Sequence, residues 1–271
     1  MSDDHESVES KLVDWLSTQG FALEYQTYNA FSDVGLQPIL SNYVQNEDET
    51  WREIDVSASS LLNEPGREPI GIRVCCECKY SKSRPWVLME AADTINYGAL
   101  CWTQLPASAH FVPLRIQNEI EAADTHLRRA LHFQPRQQWA HTLVQGLRKD
   151  GDNRDDAFNA LRKISDAAWD WAAEWTRQGI TSAIIVIPCI VVEADLYRAT
   201  FNSTERRFEV DKIEYGRLLW NGCRGGTLVD VVQAGSIESY AKKLKATFSV
   251  VLNILKSSRE KGLFDYSISM G

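Results

Sequence analysis

Two β-prone runs with a turn between them constrain this chain more than any other feature. Trp51 to Ser59 and Ile70 to Tyr80 are rich in strand-forming residues, and Asn63-Glu64-Pro65-Gly66 between them has the chemistry that reverses a chain. Along a strand, successive side chains point to opposite faces. In Arg73-Val74-Cys75-Cys76-Glu77-Cys78-Lys79-Tyr80 that period puts Val74, Cys76 and Cys78 toward a core, and Glu77 with Lys79 on the other side. Arg52-Glu53-Ile54-Asp55-Val56 repeats the pattern, with Ile54 and Val56 inward and Asp55 outward. Paired as a hairpin, the two strands bring Asp55 and Glu77 to one point, with Lys79 beside them.

The remaining segments place this hairpin in an α/β protein. Residues 5–19 predict an amphipathic helix, with Val8, Leu12, Trp15 and Leu16 as its stripe and Gly20 as its stop. Phe21 to Phe31 is aromatic and β-prone and predicts a strand, broken by Asp33 to Pro38. Trp86 to Leu100 reads as a helix, with Trp86 as a core anchor. From about 105 to 180, Ala, Leu, Arg, Gln and Glu replace β-branched residues and predict two or three helices. The clearest is 155–178, where Phe158, Leu161, Ala168, Ala172 and Trp175 share a face. Strand character returns at Ser182 to Val192, Leu196 to Phe201 and Thr227 to Gln233. Ser236 is expected to cap a last helix that buries Ile237, Tyr240, Leu244, Phe248, Val251 and Leu255. The order predicts an α/β sheet built from 1–104 and 181–271, with a helical insertion at 105–180.

Composition narrows the class. A 271-residue chain that is 44% hydrophobic and 24% charged can bury a sizeable core and is not of the disordered type. A net charge of −8 argues against broad, non-specific nucleic-acid binding, though not against a local basic groove. The longest apolar candidate, Ala183 to Val192, holds Pro188 and falls short of the roughly 18 residues of a membrane span. The acidic start, Met1 to Glu6, lacks the plan of a signal peptide, so a cytoplasmic setting is expected, without disulfides among the six Cys. Cys75, Cys76 and Cys78 alternate across a strand with no second pair, which argues against a four-ligand zinc site. There is no metalloprotease His pair, Gly-x-Ser-x-Gly elbow or Walker loop, and Gly222 to Gly226 reads as a turn.

Two carboxylates a few ångströms apart repel unless a cation sits between them. Mg²⁺ fits, because it takes one or two carboxylates and fills its other positions with water and phosphate oxygens. A lysine at the edge can hold the attacking water and neutralise phosphate charge. The physical reading is metal-assisted hydrolysis of a phosphodiester. An acid two residues before a Lys arises roughly twice by chance in such a chain, and Glu9-Ser10-Lys11 is a second instance. What singles out Glu77-Cys78-Lys79 is its place on an apolar strand, with an acid on the strand before it.

Asp55 followed by Glu77-Cys78-Lys79 resembles the active-site signature of the PD-(D/E)xK, or restriction-endonuclease-like, nuclease superfamily. Glu9, eleven residues before Gly20-Phe21, is similar in placement to the first-helix glutamate of the Mrr-like and Holliday-junction-resolvase-like branches. The chain departs from the pattern in carrying Ile54 at the proline that names the motif, and in its long Asp55-to-Glu77 interval. It also lacks a Gln-x-x-x-Tyr helix after Lys79, since Gln104 has no matching tyrosine. The resemblance covers roughly the first hundred residues and implies an αβββαβ core flanked by helices. It implies Asp55, Glu77 and the Cys78 carbonyl as Mg²⁺ ligands, with Glu9 assisting, Mn²⁺ as a substitute ion and Lys79 positioning the attacking water. The implied activity is a Mg²⁺-dependent endonuclease acting on DNA in bacterial defence or repair, with a homodimer as the expected assembly. Lys82 and Arg84 are candidates for contacts to the phosphate backbone, whereas Arg128, Arg129 and Arg136 read as a solvated helix face. Two other functions stay open from the residues: a catalytically silent or partner-dependent nuclease-fold binding or effector module, and an RNA nuclease with the same site.

Overall fold

A computed structural model describes residues 7–46, 48–67, 69–80, 84–90, 105–108, 111–122, 139–147, 155–177, 183–222 and 225–261. The helix expected at 91–100 lies outside those residues, as do Lys82, Cys101, Gln104, Arg128, Arg129, Arg136 and Cys223.

Helix α1 (Val8–Thr18) is capped by Ser7, whose hydroxyl oxygen accepts a hydrogen bond from the Ser10 N–H at 3.2 Å. Gly20, at φ 85°, turns the chain straight into α2 (Phe21–Asp33). Side-chain-bearing residues pay about 1–2 kcal/mol for that left-handed conformation. The strand expected at Phe21 to Phe31 is therefore a helix. Leu23, Thr27, Ala30 and Phe31 are buried at the i, i+4, i+7, i+8 spacing of a helix face, and that period outweighs the strand preference of the aromatic residues. The apolar stripe of α1 faces solvent instead of the sheet: Val8 is 70% exposed and Trp15 51%.

An antiparallel meander follows, made of β1 (Gln37–Gln45), β2 (Trp51–Leu62) and β3 (Ile70–Tyr80). Next come β4 (Trp86–Glu90), α3 (Phe111–Ala122), β5 (Ala140–Gln145), α4 (Asp156–Arg177) and β6 (Ala183–Glu193). The chain continues through β7 (Leu196–Asn202), β8 (Arg207–Lys212), β9 (Tyr215–Gly222), β10 (Gly225–Gln233) and α5 (Ile237–Glu260). The ten strands form one sheet in the order β1-β2-β3-β6-β10-β9-β5-β4-β7-β8. Strand β6 runs parallel to both β3 and β10. Parallel neighbours need a long crossover, and the β3-to-β6 connection carries α4 across one face of the sheet.

Two expectations for the middle of the chain are corrected. Trp86 to Glu90 is a strand, because Trp86, Leu88 and Glu90 are buried at period two; Trp86 is the expected core anchor. The 105–180 stretch is not wholly helical: β5 lies within it and pairs with β4 and β9 in the same sheet.

The sheet separates two apolar layers. On one face α2, α3 and α5 pack with Val56, Val74, Cys76, Ile187 and Val191. On the other, α4 packs through Ala157, Ala160, Leu161, Ile164 and Ala168 onto Cys75, Val186 and Ile190. All six residues of the expected α5 stripe are buried. Ser236 holds the N-cap position of that helix, but its side chain makes no capping hydrogen bond, and a 3₁₀ turn (Ala234–Ser236) leads in instead. Among the described residues, Cys75, Cys76, Cys78 and Cys189 are free thiols, and no helix is long and apolar enough to cross a membrane.

Candidate active site

Strands β2 and β3 pair from Leu62·Ile70 as far as Val56·Cys76, while β3 continues to Tyr80 against β6. One step past the last β2–β3 pair, that register sets Asp55 opposite Glu77. In place of a further ladder bond, the Cys78 N–H donates to Asp55 Oδ2 at 2.7 Å. The N–H and C=O of one strand residue point toward the same neighbour, so the Cys78 carbonyl faces the same opening. Its thiol turns the other way and donates to Thr27 Oγ1 of α2 at 3.7 Å, which removes it as a ligand and ties α2 to β3. Burial pushes that thiol well above its ordinary value.

Glu77 lies beneath α4, with its side chain 1% exposed. Lys79 Nζ stands 2.5 Å from Glu77 Oε1. Lys163, on α4, reaches both acids, at 3.2 Å from Asp55 Oδ1 and 2.5 Å from Glu77 Oε2. Both contacts to Glu77 are close ion pairs. The two lysines are 32% and 35% exposed, so the cluster opens to solvent on their side. Burial and the Asp55 charge raise the Glu77 carboxyl, against the pull of Lys79 and Lys163. Burial works against the Lys163 charge, but Asp55 and Glu77 outweigh it and hold the ammonium above the ordinary lysine value.

The structure thus brings together Asp55, Glu77, Cys78 and Lys79 of the expected set. It does not bring Glu9 to them. Helix α1 packs on α2, and Glu9 is exposed in its first turn, where its own backbone N–H and Ser7 hold its carboxyl below the usual range. Arg84 is half-buried two residues before β4 and four residues past Tyr80 at the end of β3. Two residues were missed. Lys163 was signalled only as a charge set among the buried Ala160, Ile164 and Ala167 of α4. Glu24 sits three residues before buried Thr27 and seven before buried Phe31, a position that shows only once α2 is read as a helix. Burial, then the charges of Asp55, Glu53 and Glu77, push its carboxyl up to about 7, with Lys163 opposing.

A carboxyl raised on folding takes up a proton below its folded value, and its ionised form weakens the fold. In EDTA, Glu24 therefore contributes a loss of stability as pH rises from about 4.5 through about 7 and nothing further above that. Urea midpoints at pH 5 and pH 8 are expected to differ less in Glu24→Gln than in the parent; an unchanged difference would contradict this environment.

The donor chemistry fits a hard divalent cation. One ammonium touches an oxygen of each acid, so Asp55 and Glu77 present their oxygens to a single cation position. Among the described residues, no group of three or more His, Cys, Asp and Glu side chains is placed to hold a metal ion. The side chains here offer two acids, and Mg²⁺ completes such a shell with carbonyl, water and phosphate oxygens. Set against family models, curated proteins and solved structures, the chain matches none of them.

Proposed function

We propose that this protein is a metal-dependent endonuclease that hydrolyses phosphodiester bonds in DNA, with Asp55 and Glu77 as Mg²⁺ ligands and Lys79 as the water-positioning group. The observation that carries this reading is the convergence of the Asp55 and Glu77 oxygens on one cation position, with a lysine ammonium on either side of Glu77. With β4, α3 and β5 set aside as an insertion between β3 and α4, the elements α2, β1, β2, β3, α4 and β6, with β1-β2-β3-β6 adjacent in the sheet, follow the αβββαβ order of a restriction-endonuclease-like core and support it.

Bound here, Mg²⁺ or Mn²⁺ would supply positive charge to the phosphate and acidify a coordinated water. The chain's own groups do the rest. Burial fixes the Glu77 carboxylate, and the Cys78 N–H fixes Asp55, so both acids are held in place before any ligand arrives. Lys79, half out in solvent, can hold a water by its lone pair and offer charge to the phosphate. Lys82 and Arg84 remain the proposed contacts to flanking phosphates, and a homodimer would present two such centres.

One observation favours a second reading, the catalytically silent module: the Lys163 ammonium already fills the position between the acids. Metal-linked stabilisation separates the two, because a ligand that binds only the folded state stabilises it by about 2.7 kcal/mol at a hundred times its Kd. Millimolar Mg²⁺ or Mn²⁺ is expected to raise the thermal midpoint of the parent and not of Asp55→Ala. A parent midpoint that neither ion moves would count for the silent module.

A further inference from the structure

We infer that Lys163 is a built-in competitor for the metal, whose ammonium neutralises the Asp55–Glu77 pair until a divalent cation displaces it, and which then serves as a second positive group for the phosphate. This rests on the nuclease reading and concerns the order of events at that same site. The motive is geometric. Among the described residues, two lysines contact Glu77 and only Lys163 also reaches Asp55, so it occupies the shared position. Without it, two acids set opposite each other at the end of the β2–β3 ladder would repel, one of them fully buried.

The same geometry lets the ammonium leave. Its side chain is 35% exposed, whereas that of Glu77 is 1% exposed, so Lys163 has a path to water and Glu77 has none. The helix beneath it is anchored by buried Ala160, Ile164 and Ala167, so the flexible stem can swing while the backbone stays. A divalent ion offers twice the charge to the same oxygens and wins at sufficient concentration. The displaced ammonium stays tethered within a few ångströms of the centre, where a phosphodiester brings the next negative charge.

The test is Mg²⁺ affinity, measured by calorimetry and by thermal midpoint, in the parent, Lys163→Met and Lys163→Arg. Displacing a charge-assisted contact costs enough that Lys163→Met is expected to bind Mg²⁺ about tenfold to a hundredfold more tightly than the parent. Lys163→Arg, which keeps the charge, is expected to stay within a few-fold of the parent. Adding Asp55→Asn to Lys163→Met is expected to abolish the binding, which assigns it to this site. Lys163→Gln keeps a donor toward Glu77 and carries the comparison if Lys163→Met does not fold. Equal or weaker Mg²⁺ binding in the charge-removed variants overturns the competitor role while leaving the nuclease reading intact. Binding in Lys163→Met but not in the parent overturns displacement and makes Lys163 a permanent occupant. Binding in none of the folded proteins overturns the inference and the nuclease reading together.

Discussion

Replacing Lys79 with Ala is expected to slow phosphodiester cleavage by roughly a hundredfold to ten-thousandfold, the usual worth of a positioned proton-handling or charge-stabilising group. Its side chain is 32% exposed at the end of β3, with a contact at 2.5 Å to Glu77 Oε1. Truncation removes the ammonium that faces the opening and leaves Asp55, the Cys78 N–H and Lys163 in place around Glu77. Because Lys79 is partly exposed and Lys163 still faces the buried Glu77, the cost in stability is expected to stay within about 1 kcal/mol. The expected signature is a large loss in single-turnover rate beside at most a small fall in urea midpoint and a retained Mg²⁺-induced rise in thermal midpoint. A variant that cleaves at the parent's rate would remove Lys79 from the chemistry.

The largest expected effect on stability lies away from the site. Arg217 of β9 and Asp230 of β10 form a fully buried pair, Nε to Oδ1 at 2.8 Å, and the Tyr240 hydroxyl of α5 donates to Asp230 Oδ2 at 2.9 Å. Burial, reinforced by the Asp230 charge, holds the Tyr240 phenol well above its ordinary value, so it stays a donor. Taking two charges out of water is repaid only while they face each other. Asp230→Ala strips the carboxylate from a buried guanidinium and is expected to cost about 3–5 kcal/mol. Tyr240→Phe removes one hydrogen bond to a charge and is expected to cost about 1.5–3 kcal/mol. Equilibrium urea unfolding at neutral pH measures both. A loss below 1 kcal/mol in Asp230→Ala would mean that the pair is solvated in solution.

The centre was legible where the sequence signal was local and had period two. Cross-strand placement of Asp55 and Glu77 follows from two runs and one turn, and the observed register puts the pair one step past Val56·Cys76. The α5 stripe was legible for the analogous reason at period 3.6. What failed had competing signals or no local signal. Aromatic residues gave α2 a strand's composition over a helix's spacing. At five and six residues, β4 and β5 are too short for periodicity to separate them from helix turns. The stripe on α1 correctly marked a helix, but a stripe names a face and not the surface it meets, and Glu9 went wrong with it. Lys163 lies 108 residues from Asp55, and only the crossover that lays α4 over β3 makes them neighbours. Glu24 was hidden behind the misread of its own helix.

Whether Asp55 and Glu77 form a metal-dependent nuclease centre is decided by cleavage of supercoiled plasmid by the purified protein, in Mg²⁺, in Mn²⁺ and in EDTA, beside Glu77→Gln. Nicking or linearisation is expected that needs the metal, stops in EDTA and is lost in Glu77→Gln. A folded parent protein that leaves the plasmid intact in both metals, or cutting that survives EDTA and Glu77→Gln, would contradict that centre.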